Sequence, residues 1–505
     1  MSRYLLYFFL LLSTIEAAAQ TKSGPKDSAA IFPKEISPPV KTKGSVLING
    51  ARINYTATTG YLQLKTEEGK AKANFFFVAY TKDDVSDISK RPVTYTFNGG
   101  PGSSSVWLHM GVMGPKRIVM TDDGGSLPPP YSYVDNEYSW LDQTDLVFID
   151  PVGTGYSRAA AGEDKAQFQG YTEDIESVGE FIRLYTTQYK RWGSPKFLAG
   201  ESYGTTRAAG LSNYLQTKYN LYLNGVVLIS SVLNFGTILF GIGNDLPYSM
   251  YLPSYAATAW YYKKLAPDLL QKPLPDLLKE VESFSLNEYT TALMKGSKLS
   301  ETDYSDMVKK ISRYTGLSES IIRQNNLRIN LPVYNKELLR KEGKTVGRLD
   351  ARFTGLDYDN TGAATDYDPS YNSAIAGPFT AGILNYFTKE LNYTNDLQYY
   401  ILGGGVGKWN YSNVQNKYLN VAEDLRQAMT KNPFLKVWVL GGYYDFATPY
   451  FAAEYVVKHM NLRPEQQKNI KFTHYPTGHM VYIHKPSLIQ MKKEADLFYQ
   501  DALKP

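Results

Sequence analysis

From Gly44 the hydrophobic and polar positions settle into a β pattern. Ser45-Val-Leu-Ile and Ala51-Arg-Ile-Asn-Tyr flank Asn49-Gly50, a pair that favours the type I′ turn of a hairpin. Tyr61-Leu-Gln-Leu and Ala73 to Tyr80 extend this antiparallel edge. The rhythm then changes to strand, loop, helix. Val93-Thr-Tyr-Thr-Phe97 predicts a strand running into a glycine-rich loop, and Asp145 to Asp150 another, running into Pro151 to Gly155. Helical spacing covers Glu173 to Tyr189, and a further strand is expected at Gly225 to Ser230. Alternation of this kind implies a mostly parallel sheet flanked by helices, with its chemistry in the loops at the carboxyl ends of the strands. Between about 236 and 403 the rhythm is lost. Polar helical stretches, Leu269 to Phe284 and Tyr304 to Tyr314, alternate there with Asp/Asn-rich loops. The sheet pattern returns at Lys436 to Leu440 and Ile470 to His474, and a closing helix is expected from Ser487 to Leu503. The reading is a core in two parts, 44–235 and 404–505, interrupted by a mainly helical cap, 236–403.

The amino terminus changes the picture of where the chain works. Ser2-Arg3, the apolar run Tyr4 to Leu12 and the small residues Ala17-Ala-Ala-Gln20 describe a secretory signal peptide over 1–20. The run falls short of the roughly 20 residues a membrane span needs, so no stable membrane insertion of the mature chain is expected. Residues 21–43, rich in Lys, Pro and Ser, form a flexible lead-in. There is no cysteine, which excludes disulfides and thiol catalysis and favours a bacterial periplasm or exterior. A net charge of +5 over 505 residues, without Lys/Arg blocks, gives nucleic-acid binding no support.

The candidate chemistry centres on Gly200-Glu-Ser-Tyr-Gly204, which stands between an apolar strand end, Phe197-Leu-Ala, and the helix-compatible run from Thr205 to Leu215. Gly-x-Ser-x-Gly in that context is the nucleophile elbow of an α/β-hydrolase. Serine needs an imidazole to activate it and a carboxylate to orient that imidazole. Of the five histidines, His479 alone stands in a loop immediately after a predicted strand. Asp445, in Gly442-Tyr-Tyr-Asp-Phe-Ala-Thr-Pro449, ends the strand before it, and Ser202, Asp445, His479 is the chain order of that fold. An oxyanion hole needs preorganised amides, expected from Tyr203 and from the Asn98-Gly99-Gly100 turn. Metal and nucleotide sites have no support, because the histidines lack ligand spacing and Gly153-Thr-Gly155 lacks the rest of a phosphate loop. No cofactor is expected.

Asn-Gly-Gly-Pro-Gly-Ser-Ser-Ser (98–105), Asp-Pro-Val-Gly-Thr-Gly-Tyr-Ser (150–157), Gly-Glu-Ser-Tyr-Gly (200–204), Gly-Tyr-Tyr-Asp (442–445) and Gly-His-Met (478–480) together resemble the serine carboxypeptidase family. The resemblance implies an α/β-hydrolase fold and removal of C-terminal residues from peptides through an acyl-enzyme. It implies Ser202 as nucleophile, His479 as base, Asp445 as its partner, and the amides of Gly100 and Tyr203 as oxyanion hole. Asn98, Gly99 and Glu201 would hold the substrate's terminal carboxylate. In the family's acid-active members a second glutamate shares a proton with that position; counting from Asn98 without gaps, it falls on Val112 here. The basic residues after Gly114-Pro115 suggest a substitute, with Arg117 pairing with the substrate carboxylate in bidentate geometry. An esterase or acyltransferase on the same triad is the alternative that the missing glutamate favours. A non-catalytic binding protein is a third, opposed by the intact set of Ser, Asp and His.

Overall fold

The computed structural model describes residues 36–504; the expected signal peptide and most of the lead-in lie outside them. The last four lead-in residues, Val40 to Lys43, are not flexible chain: in the first strand they pair with Thr56 to Thr59. Nine strands line up in one sheet: β1 (Val40–Ile48), β2 (Ala51–Lys65), β3 (Ala71–Lys82), β4 (Val93–Phe97), β5 (Asp145–Ile149), β6 (Lys196–Ser202), β7 (Gly225–Ser231), β8 (Lys436–Gly442) and β9 (Ile470–Tyr475). Their order is β1-β2-β3-β5-β4-β6-β7-β8-β9, and the two-residue strand Arg158–Ala159 pairs on β3. Contacts from β1 to β5 are antiparallel; from β5 to β9 they are parallel. Asn49 and Gly50 turn the β1–β2 hairpin with φ of 49° and 80°, the left-handed pair that a type I′ turn requires.

Alternation along the strands sends side chains to two cores. In β3, Phe75, Phe77 and Ala79 join one cluster while Phe76, Val78 and Tyr80 join the other. Trp438 and Leu440 of β8 divide from Val437 and Val439 in the same way. Each such buried Phe or Leu contributes roughly 1.5–3 kcal/mol of transfer free energy. The first cluster is covered by α1 (Tyr171–Gln188) and α2 (Tyr203–Tyr219), with α7 (Ala422–Lys431) beside α2. The second is covered by α6 (Ala376–Lys389) and α8 (Lys485–Ala502).

β7 and β8 are parallel neighbours, yet about 200 residues of chain separate them. Much of that segment has a core of its own, built by α3 (Leu246–Tyr261), α4 (Leu274–Phe284) and α5 (Glu301–Thr315). α5 illustrates why a helix forms there: Ser300 caps its first turn by accepting from the Asp303 amide, and Gly316 closes it at φ 71°. α6, within the same stretch of sequence, packs instead on the sheet.

At the amino ends of the parallel strands, Asp145 lies between two buried arginines. Its Oδ1 accepts from Arg91 Nε at 3.1 Å and its Oδ2 from Arg191 Nη1 at 2.6 Å. Arg191 also donates to Ser194 Oγ and to the carbonyls of Arg91 and Pro92. Among the described residues, no helix is long and apolar enough to cross a membrane.

Candidate active site

At the opposite end, β6 passes into α2 with no loop between them. Ser202 sits on the junction at φ 60°, ψ −130°, a strained conformation that persists only where its surroundings enforce it. A Cβ at Gly200 would stand 2.1 Å from the Gly204 carbonyl oxygen, and one at Gly99 would stand 2.3 Å from the Tyr203 nitrogen. Only glycine permits both approaches. The second brings the loop after β4 against the first amide of α2, which has no preceding helical carbonyl to bond.

His479 Nδ1 lies 2.7 Å from Asp445 Oδ2. Asp445 is wholly buried just after β8; its Oδ1 accepts from the Ala447 and Thr448 amides at 2.7 and 3.0 Å. The Thr448 hydroxyl lies 2.8 Å from Oδ2 and 2.9 Å from the Ser230 carbonyl oxygen. A carboxylate at Nδ1 holds the ring proton there and leaves Nε2 as an acceptor. Burial by itself would depress the His479 pKa. The Asp445 carboxylate outweighs burial, and the pKa lies above the ordinary histidine value.

The loop bearing His479 is fixed from two sides. Its amide donates to the Leu349 carbonyl at 2.7 Å and its carbonyl accepts from Ser230 Oγ at 2.6 Å. Gly478 N donates to Asp350 Oδ2 at 3.0 Å, and Arg352, ion-paired to that carboxylate, donates to Thr477 Oγ1 at 2.9 Å.

Ser202, His479, Asn98, Gly99, Gly100 and Glu201 line one cavity of about 140 Å³. Among the described residues, Ser202 Oγ makes no hydrogen bond, and long or misaligned contacts of this kind are common in a site without substrate. Glu201 is buried, and burial pushes its carboxyl up to about 7. Asn98 Nδ2 donates to Glu201 Oε1 at 3.0 Å, while Asn98 Oδ1 accepts from the Leu108 amide at 3.1 Å. Among the described residues, Glu201 Oε2 makes no well-formed hydrogen bond. Tyr482 stands beside it as the group with which that carboxyl interacts, and burial and the carboxyl together push the phenol well up. The Tyr482 ring reaches this place because Gly111 is bare: a Cβ there would meet the ring at 2.3 Å. Val112, the position expected to match the family's second glutamate, is wholly buried in the apolar core.

One expectation is corrected. Arg117 does not reach this cavity; it forms a bidentate pair with Glu137, both contacts at 3.2 Å. The strands Lys116–Ile118 and Tyr133–Asp135 pair antiparallel and bring Glu137 within its reach, and Lys116 is held likewise by Asp135 and Glu390. The other histidines stand apart from Ser202. His109 is a neutral core residue, stacked on Phe148 at 4.2 Å and pushed down to about 3 by burial. His474 lies in β9 beside Glu454, His484 bonds Ser487 Oγ, and His459 bonds the Tyr455 carbonyl. Four contributors were not read from the sequence: Thr448, Tyr482, the Asp350–Arg352 pair, and Arg348, which lines the cavity. Thr448 carried a signal, since it follows Asp445 by three residues in the turn that satisfies that carboxylate.

The doubly covered sheet, with the serine on a strand-to-helix junction at its carboxyl edge, defines an α/β hydrolase. The family model for serine carboxypeptidases, peptidase S10, matches residues 49–481. The chain therefore belongs to the serine carboxypeptidase family. It is 26% identical over 194 residues to serine carboxypeptidase-like 46 of Arabidopsis thaliana, a match covering 37% of this chain and 38% of that protein. With carboxypeptidase Y of Saccharomyces cerevisiae it shares 32% identity over 161 residues, 31% of this chain and 26% of the relative. The matched stretches thus span well under half of these relatives' lengths. In fold it is similar to the S. cerevisiae prohormone-processing carboxypeptidase Kex1(Δ)p, with a TM-score of 0.54 and 16% identity over 88% of this chain and 92% of that one.

Proposed function

We propose that the protein is a serine carboxypeptidase that removes C-terminal residues from peptides through an acyl-enzyme. Ser202 Oγ attacks the carbonyl carbon of the last peptide bond as His479 Nε2 takes its proton. The negative oxygen that results is held by the Gly100 and Tyr203 amides. His479 returns the proton to the departing amine, and water, activated by the same imidazole, releases the shortened peptide from Ser202. Asp445 keeps the ring oriented and stabilises its charged form.

The observation that carries this reading is Glu201. A carboxyl pushed up to about 7, bonded to Asn98 and set beside the Tyr482 phenol, stands one residue from Ser202 in the same cavity. While protonated, it can donate to a peptide's terminal carboxylate; ionised, it repels that carboxylate. Ester chemistry needs no such group. A second reading, an esterase or acyltransferase, is favoured by one observation: among the described residues no second glutamate stands against Glu201, and a phenol takes the neighbouring place. We also propose export by a leader over residues 1–20, and that residues 236–403 act as a cap over the site.

The test is a matched set of a blocked dipeptide acid, its amide and its ester, with fluorophosphonate labelling of Ser202. Release of the C-terminal residue from the acid, weakened when its carboxylate is amidated, is expected. Hydrolysis of the ester with the acid untouched would establish the second reading.

A further inference from the structure

Arg348 is the one Lys or Arg among the described residues that line the cavity holding Ser202 and His479. Its main chain is fixed on both sides: the amide donates to Asp368 Oδ1 at 3.0 Å and the carbonyl accepts from the Phe446 amide at 3.1 Å. The next residue, Leu349, supplies the carbonyl that holds the His479 amide. Arg348 is therefore mounted on the same stretch of backbone that positions the base.

Its guanidinium, by contrast, has no ion pair and no hydrogen bond among the described residues, although Arg117, Arg328, Arg340 and Arg352 all pair with carboxylates. An arginine carries five donors in a rigid fork and no acceptor, a shape made for a carboxylate. The cation is close enough to oppose protonation of His479. The remaining wall there is mostly apolar, with Trp107, Ile375, Leu402 and Met480 facing the space. A peptide bound for attack at Ser202 places its last residue and that residue's carboxylate within this small volume.

We infer that Arg348 is a specificity-determining residue that anchors a carboxylate of the leaving amino acid, either the terminal carboxylate or an acidic side chain. The inference rests on the carboxypeptidase reading and supplies the cation that Arg117 does not. It also gives the inserted segment a direct part in substrate choice, because the anchor and the brace of the base are consecutive residues.

The experiment compares wild type with Arg348→Gln and Arg348→Lys on blocked dipeptide acids ending in Ala, Lys or Glu, and on their amides. Protection of Ser202 against fluorophosphonate by each compound is measured alongside. We expect Arg348→Gln to raise KM about 10-fold or more for its preferred acids, with partial rescue by Arg348→Lys. An equal rise for all three acids, smaller in their amides, assigns the terminal carboxylate; a rise confined to the Glu-ending pair, acid and amide alike, assigns the side chain. Wild-type turnover of the acids with unchanged KM in Arg348→Gln, or an equal rise for acid and amide with all three endings, overturns the inference alone. Acids that neither turn over nor protect Ser202 in wild type overturn it together with the carboxypeptidase reading.

Discussion

The two ends of the parallel strands treat buried charge in opposite ways. At the amino ends, Asp145 receives Arg91, Arg191 and the Lys82 amide, and each guanidinium finds further acceptors on the backbone. At the carboxyl ends, among the described residues, Glu201 meets Asn98 and the Tyr482 phenol but no Lys or Arg, Ser202 Oγ is unbonded, and Arg348 has no counter-ion. A polar group taken out of water without a partner costs about 1–3 kcal/mol. A fold that completes one network so fully and leaves the other open one strand length away has the second free to receive a ligand. Closed networks should therefore govern stability, and open ones activity.

The largest separation is expected from a pair of substitutions. Ser202→Ala should lower kcat/KM by roughly 10⁴-fold or more and leave the melting temperature nearly unchanged, because its Oγ bonds nothing. Asp145→Ala should do the reverse. It leaves two buried guanidinium groups unpaired, a loss of roughly 3–5 kcal/mol in urea denaturation. The fraction still folded, counted by fluorophosphonate titration, should keep kcat/KM within about 2-fold. If Asp145→Ala lowered the activity per labelled site by orders of magnitude, the two ends would not be separable.

Glu201→Gln sharpens the contrast through pH. In the folded chain this carboxyl titrates at about 7, against an ordinary value of 4.5. Below 4.5 both folded and unfolded chains hold the proton. Between 4.5 and 7 the folded chain holds it more tightly, so stability falls as pH rises, and above 7 the loss is complete. The shift corresponds to a few kcal/mol. Glu201→Gln should therefore gain in melting temperature relative to wild type between pH 5 and 8. The wild-type KM for a peptide acid should climb over the same interval, and that of the variant, neutral and still a donor at every pH, should stay flat near the low-pH wild-type value. A stability difference independent of pH would show that the carboxyl is not held protonated.

How far the sequence carries depends on the distance between partners. The sheet was legible because β3 writes its two-sided burial in consecutive residues, Phe75 to Tyr80, and the elbow because its glycines are local. The Lys116-Arg117 pair misled because its partners, Glu137 and Glu390, come within reach only through pairing and packing that no local pattern announces. Arg348, Leu349 and Asp350 lie in Gly347-Arg-Leu-Asp-Ala-Arg352, which has neither turn chemistry nor a motif, yet this stretch meets His479 across about 130 residues of sequence. Tyr482 stood three residues from His479, but its role depends on the bare face of Gly111, far away in the chain.

The Asp350–Arg352 pair is the most demanding case, since it is a closed network at the open end. Arg352 is nearly buried, ion-paired to Asp350 and bonded to Thr477, and Asp350 in turn receives the Gly478 amide. It touches no reacting atom, so any influence on the reaction must pass through the placement of His479, in addition to the stability a buried pair governs. Displacement of a base by a fraction of an ångström slows proton transfer without weakening the grip on the substrate. Arg352→Gln should therefore lower kcat about 5- to 10-fold with KM little changed, and Arg352→Lys, which keeps the charge but not the fork, should recover part of it. A purely structural role would lower the melting temperature in both variants and leave kcat per labelled Ser202 at the wild-type value. The closed network would then belong with Asp145, and the boundary between stability and activity would run through the loop that carries His479.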